Sequence, residues 1–211
     1  MARRDPRLDS RAMVAAPILL AVFLDARAAF AHGFGGSGLA LPLTGLDHLL
    51  AMLAVGAWSA QLGGSAIAAV PAAFVAFMSL GGALGIAGLP LPWVEGAIAL
   101  SVVVLGCAIA AGQRVAPVVA GAAVALFGTY HGFAHGKEVA GAVGQASYVA
   151  GFLVTTAGLH VMGAVAALLA LESSRGATSL RLCGATTALV GGLASASLRR
   201  LVRLPLAAGK T

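Results

Sequence analysis

Six apolar stretches, at about 43–62, 66–88, 93–112, 115–136, 144–171 and 180–198, follow one another with almost no charge inside them. Each has roughly the 20 residues an α-helix needs to cross the hydrocarbon core of a membrane, and none shows strand-like alternation. Turn formers or charges separate them: Gly63-Gly64, Gly88 to Pro92, Gln113-Arg114, Lys137 to Gly144, and Glu172 to Thr178. Composition points the same way. Hydrophobic residues make up 60%, charged residues 9%, and mean hydropathy is +0.97, whereas about a quarter of a water-soluble domain is charged. The expected fold class is all-α, a polytopic transmembrane helix bundle of about six spans, with no length left in 211 residues for a folded domain outside the bilayer.

The first 31 residues have the layout of a cleavable export signal. Arg3, Arg4, Arg7 and Arg11 form a basic region, Ala12 to Leu24 an apolar one, and Ala29-Phe30-Ala31 a small-x-small cleavage site. The expected division is therefore 1–31 as signal peptide and 32–211 as the transmembrane domain, with His32 as first mature residue. Cleavage would leave eight basic and four acidic residues, a net charge of +4 against +6 for the whole chain. These basic residues sit at the ends and in short loops, so they read as topology signals and lipid-headgroup contacts rather than a nucleic-acid surface. Cys107 and Cys183 lack the spacing of a redox or zinc pair and are expected to be small buried hydrophobes.

With the arginines of the signal held inside, His32 falls outside. The loops at 88–92 and 137–143 then lie outside, and those at 63–65, 113–114 and 172–179 inside. Arg114, Arg175 and Arg181 agree with the positive-inside rule, whereas Arg199, Arg200, Arg203 and Lys210 would lie outside, against it. Glycines spaced by four, Gly128, Gly132 and Gly136 on span four and Gly81 with Gly85 on span two, mark faces where helices approach closely in lipid.

Ionisable groups within such spans cost about 2.5–3.5 kcal/mol each on insertion scales, so they point to function. His131, His135 and Glu138 on span four lie within a sector of about 60° at 100° per residue. Two imidazoles and a carboxylate on one face suit a borderline divalent metal such as nickel, cobalt or zinc, and the adjacent glycine ridge would admit a neighbouring helix to complete the shell. Asp47 and His48 open span one, one turn before Met52. Adjacent side chains diverge by about 100°, so Asp47 is placed to orient a histidine rather than share its ion. Parity puts Asp47, His48, Glu95, His131, His135, Glu138 and His32 at the outer end, where cleavage would let the amine and imidazole of His32 chelate together. His160 lies about 24 Å into span five, with Met162 nearby. It is either an inner waypoint or a hydrogen-bonded core histidine.

These residues carry a resemblance. His32-Gly33, the run Gly45-Leu46-Asp47-His48-Leu49-Leu50-Ala51-Met52 continuing to Val55-Gly56, and His131-Gly132-Phe133-Ala134-His135-Gly136-Lys137-Glu138 resemble the HupE/UreJ family of membrane proteins, over nearly all of the mature chain. The resemblance implies nickel, sometimes cobalt, uptake for hydrogenase and urease maturation, with metal handled by His32, Asp47, His48, His131, His135 and Glu138. Glu95 and His160 also stand at family-like positions. One departure is Leu41-Pro42, where members often have His-Pro, so a ligand is missing.

Three functions are compatible with these residues. The first is a secondary permease of the bacterial cytoplasmic membrane, its mature N-terminus outside, carrying Ni2+ or Co2+ as cargo with no resident cofactor. Its partners would be the lipid bilayer, the metal ion and downstream metallochaperones, not nucleic acid. The second is a membrane metalloenzyme, a hydrolase or di-iron oxygenase, against which stands the pattern HxxxH followed by Glu138 in place of HExxH with its internal base. The third is a metal sensor that binds without translocating.

Overall fold

The computed structural model describes residues 45–141 and 144–203. The expected signal peptide, His32 and Leu41 lie outside the described residues. Among the described residues six helices follow one another: α1 (Leu46–Leu62), α2 (Ala66–Ile86), α3 (Val94–Ala111), α4 (Pro117–Val139), α5 (Gln145–Leu171) and α6 (Gly176–Arg203). Among the described residues there is no strand. The helix bounds follow the apolar stretches within about five residues, because in lipid every backbone polar group must be satisfied within the helix itself.

Among the described residues four helices are long and apolar enough to cross a membrane, namely α2, α3, α4 and α5, with 21, 18, 23 and 27 residues. Large apolar side chains on them, among them Phe77, Leu80, Val118, Leu126, Val154 and Val161, are exposed, as a lipid-facing surface requires and a water-facing one would not tolerate. Helix α1 differs. Its 17 residues span about 25 Å, nine of them are buried, and it touches every other helix, so it is the central element. Gly63 and Gly64, at φ 75° and 55°, turn the chain directly from α1 into α2, a conformation that glycine adopts without steric cost.

The main contacts pair α2 with α4, α3 with α6, and α1 with α5. A side chain at Gly132 would overlap the carbonyl of Met78, one at Gly136 that of Gly82, and one at Gly81 that of Thr129. Partners rise together along both chains, so α2 and α4 run parallel with backbones in contact. Between α3 and α6 the order reverses, Gly106 meeting Ala188 and Gly191 meeting Val102, so that pair is antiparallel. Both directions agree with alternate crossing. Cys107 and Cys183 are free but exposed, which corrects the expectation of burial: each follows or precedes a glycine of the α3–α6 seam, and its own side chain points away from that seam.

Candidate metal-binding site

The N-terminal turn of α1 meets the C-terminal turns of α4, and three imidazoles come together there. His48 lies with its ring centre 4.6 Å from that of His131 and 4.6 Å from that of His135. His131 is fully buried and His135 nearly so. The two carboxylates stand on the more open side, Asp47 with 36% and Glu138 with 56% of the side chain exposed, against 14% for His48. Acids thus rim the site and imidazoles form its floor.

Each ring is held through one nitrogen. Asp47 Oδ1 is 3.2 Å from His48 Nδ1 and also accepts the His48 backbone N–H at 2.9 Å. Glu138 Oε2 is 3.0 Å from His135 Nδ1 and accepts from the Tyr148 hydroxyl at 3.5 Å. Ser101 Oγ is 3.0 Å from His131 Nε2, while its own proton goes to the Ile98 carbonyl at 2.6 Å. A carboxylate only accepts, and the Ser101 proton is already engaged, so in all three pairs the histidine nitrogen is the donor. The remaining nitrogens, His48 Nε2, His131 Nδ1 and His135 Nε2, therefore carry lone pairs, and all three are buried without a partner. A buried polar atom left unpaired costs about 1–3 kcal/mol. Three such acceptors in one cluster, each backed by an acceptor on the opposite ring nitrogen, is the arrangement by which proteins orient imidazoles toward a metal cation.

The spacing fits that use. Two imidazoles bound to one ion through bonds of about 2.0–2.1 Å and meeting it at roughly 90° have ring centres about 4.5 Å apart. Among the described residues, no three His, Cys, Asp or Glu side chains are already set around one point, because the rings stand edge to face, at 78° and 68°. A cavity of about 150 Å³ lined by Gly82, Gly132, Tyr148 and Phe152 leaves space beside His135.

The structure thus brings together Asp47, His48, His131, His135 and Glu138. Glu95 is exposed in the first turn of α3, and no hydrogen bond among the described residues ties it to the imidazoles. His160 lies apart, on the far side of Phe74. The glycine ridge of α4 does admit a close neighbour, as expected, but that neighbour is α2, which brings no ligand; the third imidazole comes from α1. Ser101, Phe74 and Phe152 escaped the sequence reading. Ser101 alone had a signal, as a hydroxyl within the apolar run of α3.

The fold and site define a helical membrane bundle with a buried cluster of histidines at one end. Comparison with known proteins makes the assignment specific: the profile of the family described as HupE / UreJ protein matches residues 15–194. A curated relative, Protein HupE of Rhizobium leguminosarum bv. viciae, is 44% identical over 155 residues, covering 74% of this chain and 81% of the relative. The chain belongs to the HupE/UreJ family. No solved structure matches it.

Proposed function

We propose that the chain is a secondary permease that takes up a divalent transition metal, nickel first and cobalt second, across the bacterial cytoplasmic membrane, to supply hydrogenase or urease maturation. The observation that carries this reading is the set of three buried lone-pair nitrogens on His48, His131 and His135, beneath the carboxylates of Asp47 and Glu138. Carboxylates at the rim attract the cation, and neutral imidazoles replace its water. The mature N-terminus lies outside in this reading, with residues 1–31 removed and His32 free to join the outer end. Nickel is cargo, not a resident cofactor. A membrane potential of 100 mV contributes about 2.3 kcal/mol per charge, hence about twice that for a divalent ion, which is enough to drive accumulation without nucleotide hydrolysis. Metallochaperones would receive the ion inside.

Reconstituted liposomes enclosing a nickel-sensitive dye test the proposal. With an inside-negative potential the dye is expected to respond to external Ni2+, and Co2+ and Zn2+ run alongside rank the cargo. Binding to the purified chain with no dye response would make it a sensor; an ion that never exchanges would make it a metalloenzyme.

A second expectation concerns Ser101, whose hydroxyl sets the proton on His131 Nε2. Ser101→Ala removes that acceptor and frees the tautomer to change, so nickel affinity is expected to fall by about tenfold, as for other outer-shell partners of metal-bound imidazoles. Uptake measured across nickel concentrations would show the half-saturating value rise while maximal uptake holds. An unchanged half-saturating value would remove Ser101 from the site.

A further inference from the structure

Helix α5 carries a second polar feature that the outer cluster does not use. Phe152, Thr156 and His160 follow one another at one-turn intervals on one face. Phe152 lies against His135 with ring centres 4.1 Å apart. Thr156 and His160 are 0% and 1% exposed, and the Thr156 hydroxyl and both ring nitrogens of His160 have no hydrogen-bond partner. Buried polar groups are nearly always paired, and a helical threonine commonly bonds back to the carbonyl four residues earlier. Thr129 does so to Ala125 at 3.0 Å and Thr187 to Cys183 at 2.9 Å. The Thr156 hydroxyl makes no such bond.

Two helices measure the depth of this pair. On α5, His160 is eight residues beyond Phe152, about 12 Å at 1.5 Å per residue. On α1, a side chain at Gly56 would overlap the His160 carbonyl, and Gly56 is also eight residues, about 12 Å, beyond His48. Between the two levels stands Phe74, its ring centre 5.5 Å from that of His131 and 5.1 Å from that of His160, edge to face with the latter. Phe74 is fully buried, so its ring is a packed contact shared by the outer cluster and the inner pair.

We infer that His160 and Thr156 form a second, inner site for the same divalent transition-metal cation, reached from the outer cluster past Phe74. The inference rests on the permease reading and deepens it. One imidazole nitrogen and one hydroxyl oxygen, with no carboxylate, make a weaker ligand set than three imidazoles rimmed by acids. So weak a set releases the ion readily, as a transit site requires.

The test uses the full chain and Ni2+, by equilibrium dialysis in detergent and by flux in dye-loaded liposomes. His160→Ala is expected to bind one Ni2+ fewer than the unmodified chain. Its flux at saturating Ni2+ is expected to fall by about tenfold with the half-saturating concentration unchanged, the pattern of a step lost after binding. Thr156→Val, close in shape, is expected to lower flux several-fold and guards against a folding defect in the first variant. Unchanged stoichiometry or unchanged flux in His160→Ala overturns the inner site. If the unmodified chain transports but His160→Ala binds as many ions, the permease reading stands and this inference falls. If His160→Ala binds one ion fewer but the unmodified chain never transports, the inner pair stands as a binding site and the permease reading falls.

Discussion

Alanine at His131 or at His135 is expected to abolish high-affinity nickel accumulation, lowering uptake at limiting nickel by more than about 100-fold, since losing a mere outer-shell partner already costs about 10–100-fold. Each substitution removes one of the three unpaired ring nitrogens, and the two that remain are expected to hold the ion too weakly against water. The protein itself is expected to persist in the membrane, because each histidine removed takes an unpaired buried acceptor with it. Labelled-nickel uptake by cells expressing each variant, with the amount of membrane protein measured alongside, decides the matter. Uptake at the unmodified level in both would sink the assignment of the site. Glu138→Gln gives a graded comparison, because an amide still occupies the rim but brings no charge. It is expected to weaken uptake less than loss of the imidazole it supports.

The second large effect concerns the bundle and not the ion. Gly132→Val is expected to leave little folded protein, because a side chain there meets the backbone carbonyl of Met78 and the backbone nitrogen of Gly82, neither of which can swing aside. Overpacking in a well-filled core costs about 1–3 kcal/mol and occasionally more; here two backbones must separate, so the upper end applies. The neighbouring face of α4 carries His131 and His135, and parting α2 from α4 would also disturb the site. Gly158→Ala is the control. Nothing lies within 4 Å of a side chain there, and a helical glycine replaced by alanine at an open position gains about 0.4–1 kcal/mol. Size-exclusion profiles and melting in detergent are expected to separate the two variants clearly. Equal stability would mean that α2 and α4 do not meet along this ridge.

The extent to which this was legible beforehand divides along a physical line. Hydropathy located all six helices to within a few residues, and helical periodicity put His131, His135 and Glu138 on one face. Parity set the start of α1 beside the end of α4, where His48 is found against both histidines. Asp47 was placed to orient a histidine, and it is bonded to His48. The structure departs from expectation where the helix across the α4 glycine ridge, α2, brings no ligand, and where both cysteines are exposed rather than buried. Helices in lipid are apolar on every side, so no polar face tells which neighbour each one meets.

By itself, then, the sequence determined the membrane class, the helix positions, the family motifs and the end of the bundle where the scarce charges gather, because these depend on local hydropathy and on the 3.6-residue repeat. Only the tertiary structure decided that α1 supplies the third imidazole, that Ser101 sets the proton on His131, and that Phe74 packs against both His131 and His160. Those facts join residues 30 to 86 positions apart through contacts between faces that look alike in one dimension.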